Sequence, residues 1–225
     1  DQALFSDATN DITDYSSSGR MTAFDADGFT VPAGAGSTGT NASGDTYVAW
    51  CWEAGGTPTA NNSASAGATP TAGSVKIDGS NLGSALGGSI AATKLTANKA
   101  KGFSIIKYTG TGSNATLAHG LDSAPEMIFF KKDAVTSWMV YNKTIGNNRF
   151  LYLDLNNGKT GTDSTYFNDT DPTDSLIQLG SYHRNNDSSA DYLAYCWHSV
   201  SGYCSIGNYT GSGSSGKSVT TGFRP

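Results

Sequence analysis

Apolar and polar positions along this chain fall into short stretches with a period of two, separated by residues that favour turns. In Tyr47–Trp52 one alternating set is Tyr47, Ala49 and Cys51 and the other is Val48, Trp50 and Trp52. Both sets are apolar, which predicts a central strand covered on each face. Glu126–Lys131, with Met127, Ile128, Phe129 and Phe130, and Trp138–Tyr141 read as further strands. Phe150–Leu155 alternates as well, and Asn156-Asn157-Gly158 follows as a turn whose residues tolerate positive φ. Several short strands joined by such turns predict an all-β fold, a tandem antiparallel β-sandwich of jelly-roll type, with little helix.

The strands repeat. Tyr47-Val48-Ala49-Trp50-Cys51-Trp52 recurs as Tyr192-Leu193-Ala194-Tyr195-Cys196-Trp197, an offset of 145 residues (196 minus 51), and Asn41 falls on Asn186. A second pair is Phe103-Ser104-Ile105-Ile106-Lys107-Tyr108-Thr109-Gly110 and Cys204-Ser205-Ile206-Gly207-Asn208-Tyr209-Thr210-Gly211, offset by 101 (204 minus 103). The unequal offsets locate an insertion between the two motifs. Residues 57–102, rich in Gly, Ala, Ser and Thr, read as a linker with one short helix over Ile90–Lys101. Residues 103–203 form a complete unit, residues 1–56 the second half of a first unit, and residues 204–225 the start of a further one. A chain divided in this way is expected to be part of something longer.

Composition narrows the function classes. Charged residues are 15% of the chain, below the roughly 25% of an ordinary domain. Hydroxyls and amides carry the polarity instead, which suits an extracellular or virion surface. The net charge of −5 leaves no basic face for phosphates, so nucleic acid is not an expected partner. No apolar run approaches the ~20 residues of a membrane-spanning helix. Cys51, Cys196 and Cys204 have no metal-ligand spacing and read as free thiols. Sequons at Asn41, Asn61, Asn114, Asn142, Asn168, Asn186 and Asn208 are what a chain rich in Asn, Ser and Thr produces by chance.

The strings around Asn41–Gly56, Gly102–Asn114, His119–Pro125 with Met127–Asp133, and Asp191–Trp197 together resemble a repeat domain of marine bacteriophage virion proteins, tail-fibre-like proteins among them. The resemblance covers nearly the whole chain outside the insertion. It implies a concanavalin A-like, lectin-type sandwich on the virion surface, in contact with the host envelope. It brings no catalytic residues with it. Other virion proteins and a bacterial surface glycan become the expected partners, and a homo-oligomer, a trimer in a fibre, the expected assembly.

Candidate chemistry is sparse. Asp25-Ala26-Asp27-Gly28 begins like a calcium loop but lacks the later Glu, so it also reads as a polar turn before Phe29–Val31. The acidic stretch Asp169–Asp174 lies at the matching place in the complete unit, which keeps Ca2+ at Asp25 and Asp27 as an expectation. His119, His183 and His198 stand without a nucleophile motif or a paired-carboxylate pattern, so no enzyme is expected. A glycan-degrading enzyme on the same sandwich is the alternative that adjacency in sequence does not address. Trp50, Trp52, Tyr195 and Trp197 read as core. Trp138, Tyr166 and Tyr182, with Phe167 and Tyr203, lie nearer turns, where rings can stack on a sugar. Asn186 and Asp187, beside Asn185, can bond its hydroxyls.

Overall fold

Regular structure is almost entirely β in the computed structural model, which describes residues 2–10, 12–14, 21–33 and 40–225. In chain order the strands are β1 (Gln2–Ala3), β2 (Thr13–Asp14), β3 (Ala23–Phe24), β4 (Phe29–Thr30), β5 (Val75–Ile77), β6 (Ser80–Asn81) and β7 (Lys94–Asn98). There follow β8 (Phe103–Thr109), β9 (Ala115–Ala118), β10 (Met127–Lys132), β11 (Met139–Asn142), β12 (Leu151–Tyr152), β13 (Leu176–Leu179) and β14 (Asp191–Trp197). A single helical turn, α1 (His183–Asn186), precedes β14. No described helix is long and apolar enough to cross a membrane.

Eight strands form one sheet in the order β12-β11-β10-β14-β8-β7-β5-β6. β14 lies at its centre, paired antiparallel with β8 from Asp191↔Thr109 to Trp197↔Phe103 and with β10 from Met127↔Trp197 to Lys132↔Tyr192. The other pairings are antiparallel too, except β5 with β7. β9 and β13 make a separate antiparallel pair, extended by bridges from Gly88 and Ile90 to Leu117.

Alternation assigns the two faces of the large sheet. Ile106, Tyr108, Ile128, Phe130, Tyr192 and Ala194 point to one side and share a buried cluster with Leu117, Ile177 and Leu179 of the smaller pair. On the other side Trp197 meets Phe129, Phe103 and Trp52 at centroid distances of 4.8, 5.2 and 5.8 Å, and Trp52 lies 6.2 Å from Phe103. Tyr195 packs between Trp197 and Trp138 on that same outer face. Lys131, also on the outer face, is buried because its ammonium donates to the carbonyls of Lys132, Ala134 and Thr136. A charge is tolerable there only because those dipoles replace water.

Three expectations are corrected. The stretch read as a linker with a helix at Ile90–Lys101 instead supplies β5, β6 and β7. In β7, Leu95 and Ala97 face the core between Lys94, Thr96 and Asn98, a period of two that an alanine-rich composition hid. Residue 55 belongs to this ordered unit: a β-carbon on Gly55 would stand 1.9 Å from the Ala97 carbonyl oxygen, so only glycine fits. Tyr47–Trp52, expected as a covered central strand, lies in no strand, and Val48 and Trp50 are 82% and 80% exposed. Phe150–Leu155 is a strand only at Leu151–Tyr152, where it meets β11.

Phe130 lies in the middle of β10, fully buried against Phe167. Replacing it with alanine deletes that packing and leaves a cavity, so Phe130→Ala should cost about 3–5 kcal/mol. Chemical denaturation of the two proteins checks this.

Candidate functional site

The rings that the sequence placed near turns divide sharply once folded. Trp138 is buried, its indole N–H donating to the Phe5 carbonyl at 2.7 Å. Phe167 is buried under Tyr141. Tyr166 and Tyr182, by contrast, come together at the β12 edge as a partly buried pair, centroids 4.8 Å apart and planes 70° apart. Both lean on buried Phe150, at 4.9 and 5.6 Å, and Tyr152 meets Phe150 edge-on at 4.9 Å. Edge-to-face contacts of this kind hold ring orientation as well as burying area. Sequence reasoning missed Tyr152 and Arg184, because β12 is only two residues long and the sequence placed no helix at residues 183–186.

Around the rings stand polar groups of both signs. His183 lies 4.5 Å from the Tyr182 ring, and the Arg184 guanidinium sits over Tyr152 at 5.3 Å while donating to the Thr136 hydroxyl at 2.7 Å. Asp187 accepts from the Lys132 ammonium at 2.6 Å. That hydrogen bond and the lysine charge hold the Asp187 carboxyl below its usual range. Partial burial, then the positive charges of Arg184 and Lys132, lower the His183 pKa.

The backbone beneath the patch is fixed by hydrogen bonds of high sequence separation. Tyr182 N–H donates to the Thr165 carbonyl, and Gly180 N–H to that of Tyr166. At Gly180 a β-carbon would meet the Thr165 oxygen at 1.9 Å, so no larger residue allows this approach. Tyr108 and Tyr192 send their hydroxyls to the carbonyls of Asn185 and His183, at 2.5 and 2.6 Å.

Asn186, expected at a sugar, is buried and fully engaged. Its amide donates to the carbonyls of Ser113 and Gly180, and its oxygen accepts from Thr111 N–H at 2.8 Å. Asn185 donates to the Tyr166 carbonyl. Of the five expected sugar contacts the structure therefore gathers Tyr166, Tyr182 and Asp187 near α1, and uses Trp138 and Asn186 to hold the fold.

Asp25 and Asp27 lie in the turn between β3 and β4, where the Asp25 carboxylate accepts from the Thr30 hydroxyl at 2.7 Å and its N–H bonds the Gly28 carbonyl. Among the described residues no group of three or more His, Cys, Asp and Glu side chains stands close enough to hold a metal. The matching acidic stretch is occupied otherwise, with Asp171 accepting from the Tyr141 hydroxyl. His119 is buried, its Nδ1 accepting from Leu121 N–H and its Nε2 placed 3.2 Å from the Thr173 carbonyl. A small apolar cleft of about 280 Å³ lies at the opposite edge, lined by Ile77, Leu82, Leu86 and Leu176, with Lys99 at its side.

Two measurements follow from this geometry. Asn186→Ala removes the partner of the buried Gly180 carbonyl, at ~1–3 kcal/mol for a buried group left unsatisfied, and the partners of Thr111 and Ser113 at the surface. It should therefore lower stability in denaturation. Burial lowers the His119 pKa from 6.5 to about 4. Between those values the unfolded chain binds the extra proton, so stability is complete above about pH 6.5 and falls as pH drops toward 4, by about 3 kcal/mol in all. Denaturation midpoints across that range check the slope, which His119→Gln should flatten.

A family model for a domain of unknown function (DUF7483) matches residues 1–77 and 78–225. No curated protein and no solved structure matches the chain. The matched span covers both the ordered sheet and the aromatic patch, and the chain belongs to this DUF7483 family.

Proposed function

We propose that the chain is a non-enzymatic module of a bacteriophage virion surface protein, of tail-fibre or appendage type, that attaches to host-surface glycans. The observation that carries this reading is the pair of partly buried rings, Tyr166 and Tyr182, held on buried Phe150 with Arg184, His183 and Asp187 around them. Tyrosine offers a flat apolar face and a polar tip, and it loses little rotamer freedom on binding. Such a face stacks on the C–H side of a sugar while the flanking charged groups meet its hydroxyls. The motif resemblance to marine bacteriophage proteins supports the setting, and an all-β fold suits it.

In this reading residues 103–203 are a complete concanavalin A-like jelly-roll unit, residues 1–56 the second half of a preceding one and residues 204–225 the start of a further one, and the partners are other virion proteins and copies of the chain. Single patches bind weakly, and repetition on one particle raises avidity by ~10²–10⁴. Binding rather than hydrolysis is supported by the engagement of nearby carboxylates, Asp187 by Lys132 and Asp163 by Thr165. A purely structural virion element is the second reading, favoured by the exposed apolar residues Phe24, Val48 and Trp50.

A glycan array and a host-cell binding assay on the purified chain decide between them. The expected result is saturable binding that drops at least tenfold in Tyr182→Ala and in Tyr166→Ala and is unchanged by a calcium chelator. Loss of binding on chelation would return a cation to Asp25 and Asp27. Absence of binding by the folded chain on a multivalent support would overturn attachment in favour of the structural role.

A further inference from the structure

We propose that Val48–Trp52 of one copy pairs as an antiparallel strand with Cys204–Asn208 of a second copy of this chain. The register is that of β14 on β8. Subtracting the 145-residue offset from β14 and adding the 101-residue offset to β8 places Val48 opposite Asn208, Ala49 opposite Gly207, Trp50 opposite Ile206, Cys51 opposite Ser205 and Trp52 opposite Cys204. This interface does not depend on the glycan reading.

Both segments already hold the local structure that their counterparts use when paired. Ahead of β14, Asp187 N–H donates to the Tyr192 hydroxyl at 2.8 Å, Ala190 N–H donates to the Asp187 carbonyl at 3.3 Å, and Ser189 has φ of 61°. At the same offset Ala42 N–H donates to the Tyr47 hydroxyl at 3.0 Å, Asp45 N–H to the Ala42 carbonyl at 3.3 Å, and Gly44 has φ of 87°.

After β8, the Thr111 hydroxyl donates to the Ser113 carbonyl at 3.0 Å and accepts from Ser113 N–H at 3.4 Å, around Gly112 at φ of 71°. The Ser212 hydroxyl does the same with Ser214, at 3.2 and 3.4 Å, around Gly213 at φ of 69°. Each turn is thus preformed, and what the second pair lacks is the ladder between its members. Asn41, the counterpart of Asn186, would accept from Ser212 N–H as Asn186 accepts from Thr111.

Among the described residues neither segment lies in a strand, Cys204 making an isolated bridge to Val200, and Tyr209 is exposed together with Val48 and Trp50. The two are anchored on opposite flanks of β14. Toward β7, the Gly55 and Gly56 carbonyls accept from Gly79 N–H and the Thr96 hydroxyl. Toward β10, Ile206 N–H is held by the Ser199 hydroxyl, which itself donates to the Glu126 carboxylate. At ~4.8 Å per strand, β7 and β10 are roughly 14 Å apart. Two copies related by a two-fold axis exchange both segments at once and form the pair twice, so the assembly closes.

The test uses the full chain with Cys51→Ser and Cys204→Ser. Directly opposed residues of an antiparallel pair have β-carbons ~4.5–5.5 Å apart, within reach of a short thiol cross-linker. A copy carrying Ala49→Cys, mixed with a differently tagged copy carrying Gly207→Cys, should cross-link to a heterodimer. Moving the second cysteine to Tyr203→Cys should reduce the yield at least tenfold. Trp50→Asp alters an exposed ring, so folding persists by circular dichroism while sedimentation shifts from dimer to monomer. Cross-linking confined to one chain in the Ala49→Cys, Gly207→Cys double variant would overturn the proposal. A parent chain that sediments as a monomer at the concentrations used, or a dimer unchanged by Trp50→Asp, would overturn it too.

Discussion

The pairing of β8 with β14 is the interaction on which the rest of the molecule depends. It runs the full length of both strands and seats the sheet's central strand. It also brings Tyr108 and Tyr192 into a stack with centroids 5.3 Å apart and planes 17° from parallel. Their rings are buried while their hydroxyls reach the carbonyls of α1. Burying a tyrosine is favourable only where its hydroxyl finds a partner, so the core and the helical turn fix each other. Burial also raises both phenol pKa values well above 10, which keeps them neutral donors.

From that pair the order spreads outward to the surface patch. α1 is one turn long and has no side-chain cap, so it does not stand through helix propensity. It stands because Asn185, Asn186, Tyr108 and Tyr192 bond it to the sheet and to the loops at Ser113 and Tyr166. The rings of Tyr166 and Tyr182 inherit that rigidity. A surface built this way presents rings already in position, so a ligand meeting them would order few groups.

The two faces of the large sheet have different means of closure. The inner face is shut by β9, β13 and the segment around Leu86 and Ile90. The outer face is aromatic and is covered in part by Trp52, and by the N-terminal segment whose Phe5 carbonyl meets Trp138. Trp52 is therefore shared between this unit and the exposed segment that leads to it. The motif that makes a buried strand at 192–197 lies outside any strand at 47–52 for a simple reason: β14 lies between β8 and β10, and among the described residues Val48–Trp52 has no such neighbours.

Much of the sheet was legible from residues alone. The alternation in Met127–Phe130 and the repeat at Tyr192–Trp197 identified β10 and β14, and the scarcity of helix followed from composition. The insertion was not, because Lys94–Asn98 carries only Leu95 and Ala97 as apolar inward positions and reads as linker until β8 is placed beside it. The candidate site was legible in part: the sequence marked the turn-proximal rings, but Trp138, which folds into the core, and Tyr182, which does not, look alike in sequence. Local pattern determines which residues alternate and which turns form, since those depend on neighbours a few positions away. Which aromatic is covered, and which copy of a repeated strand is paired, was decided only by the tertiary structure, because burial depends on residues a hundred positions distant.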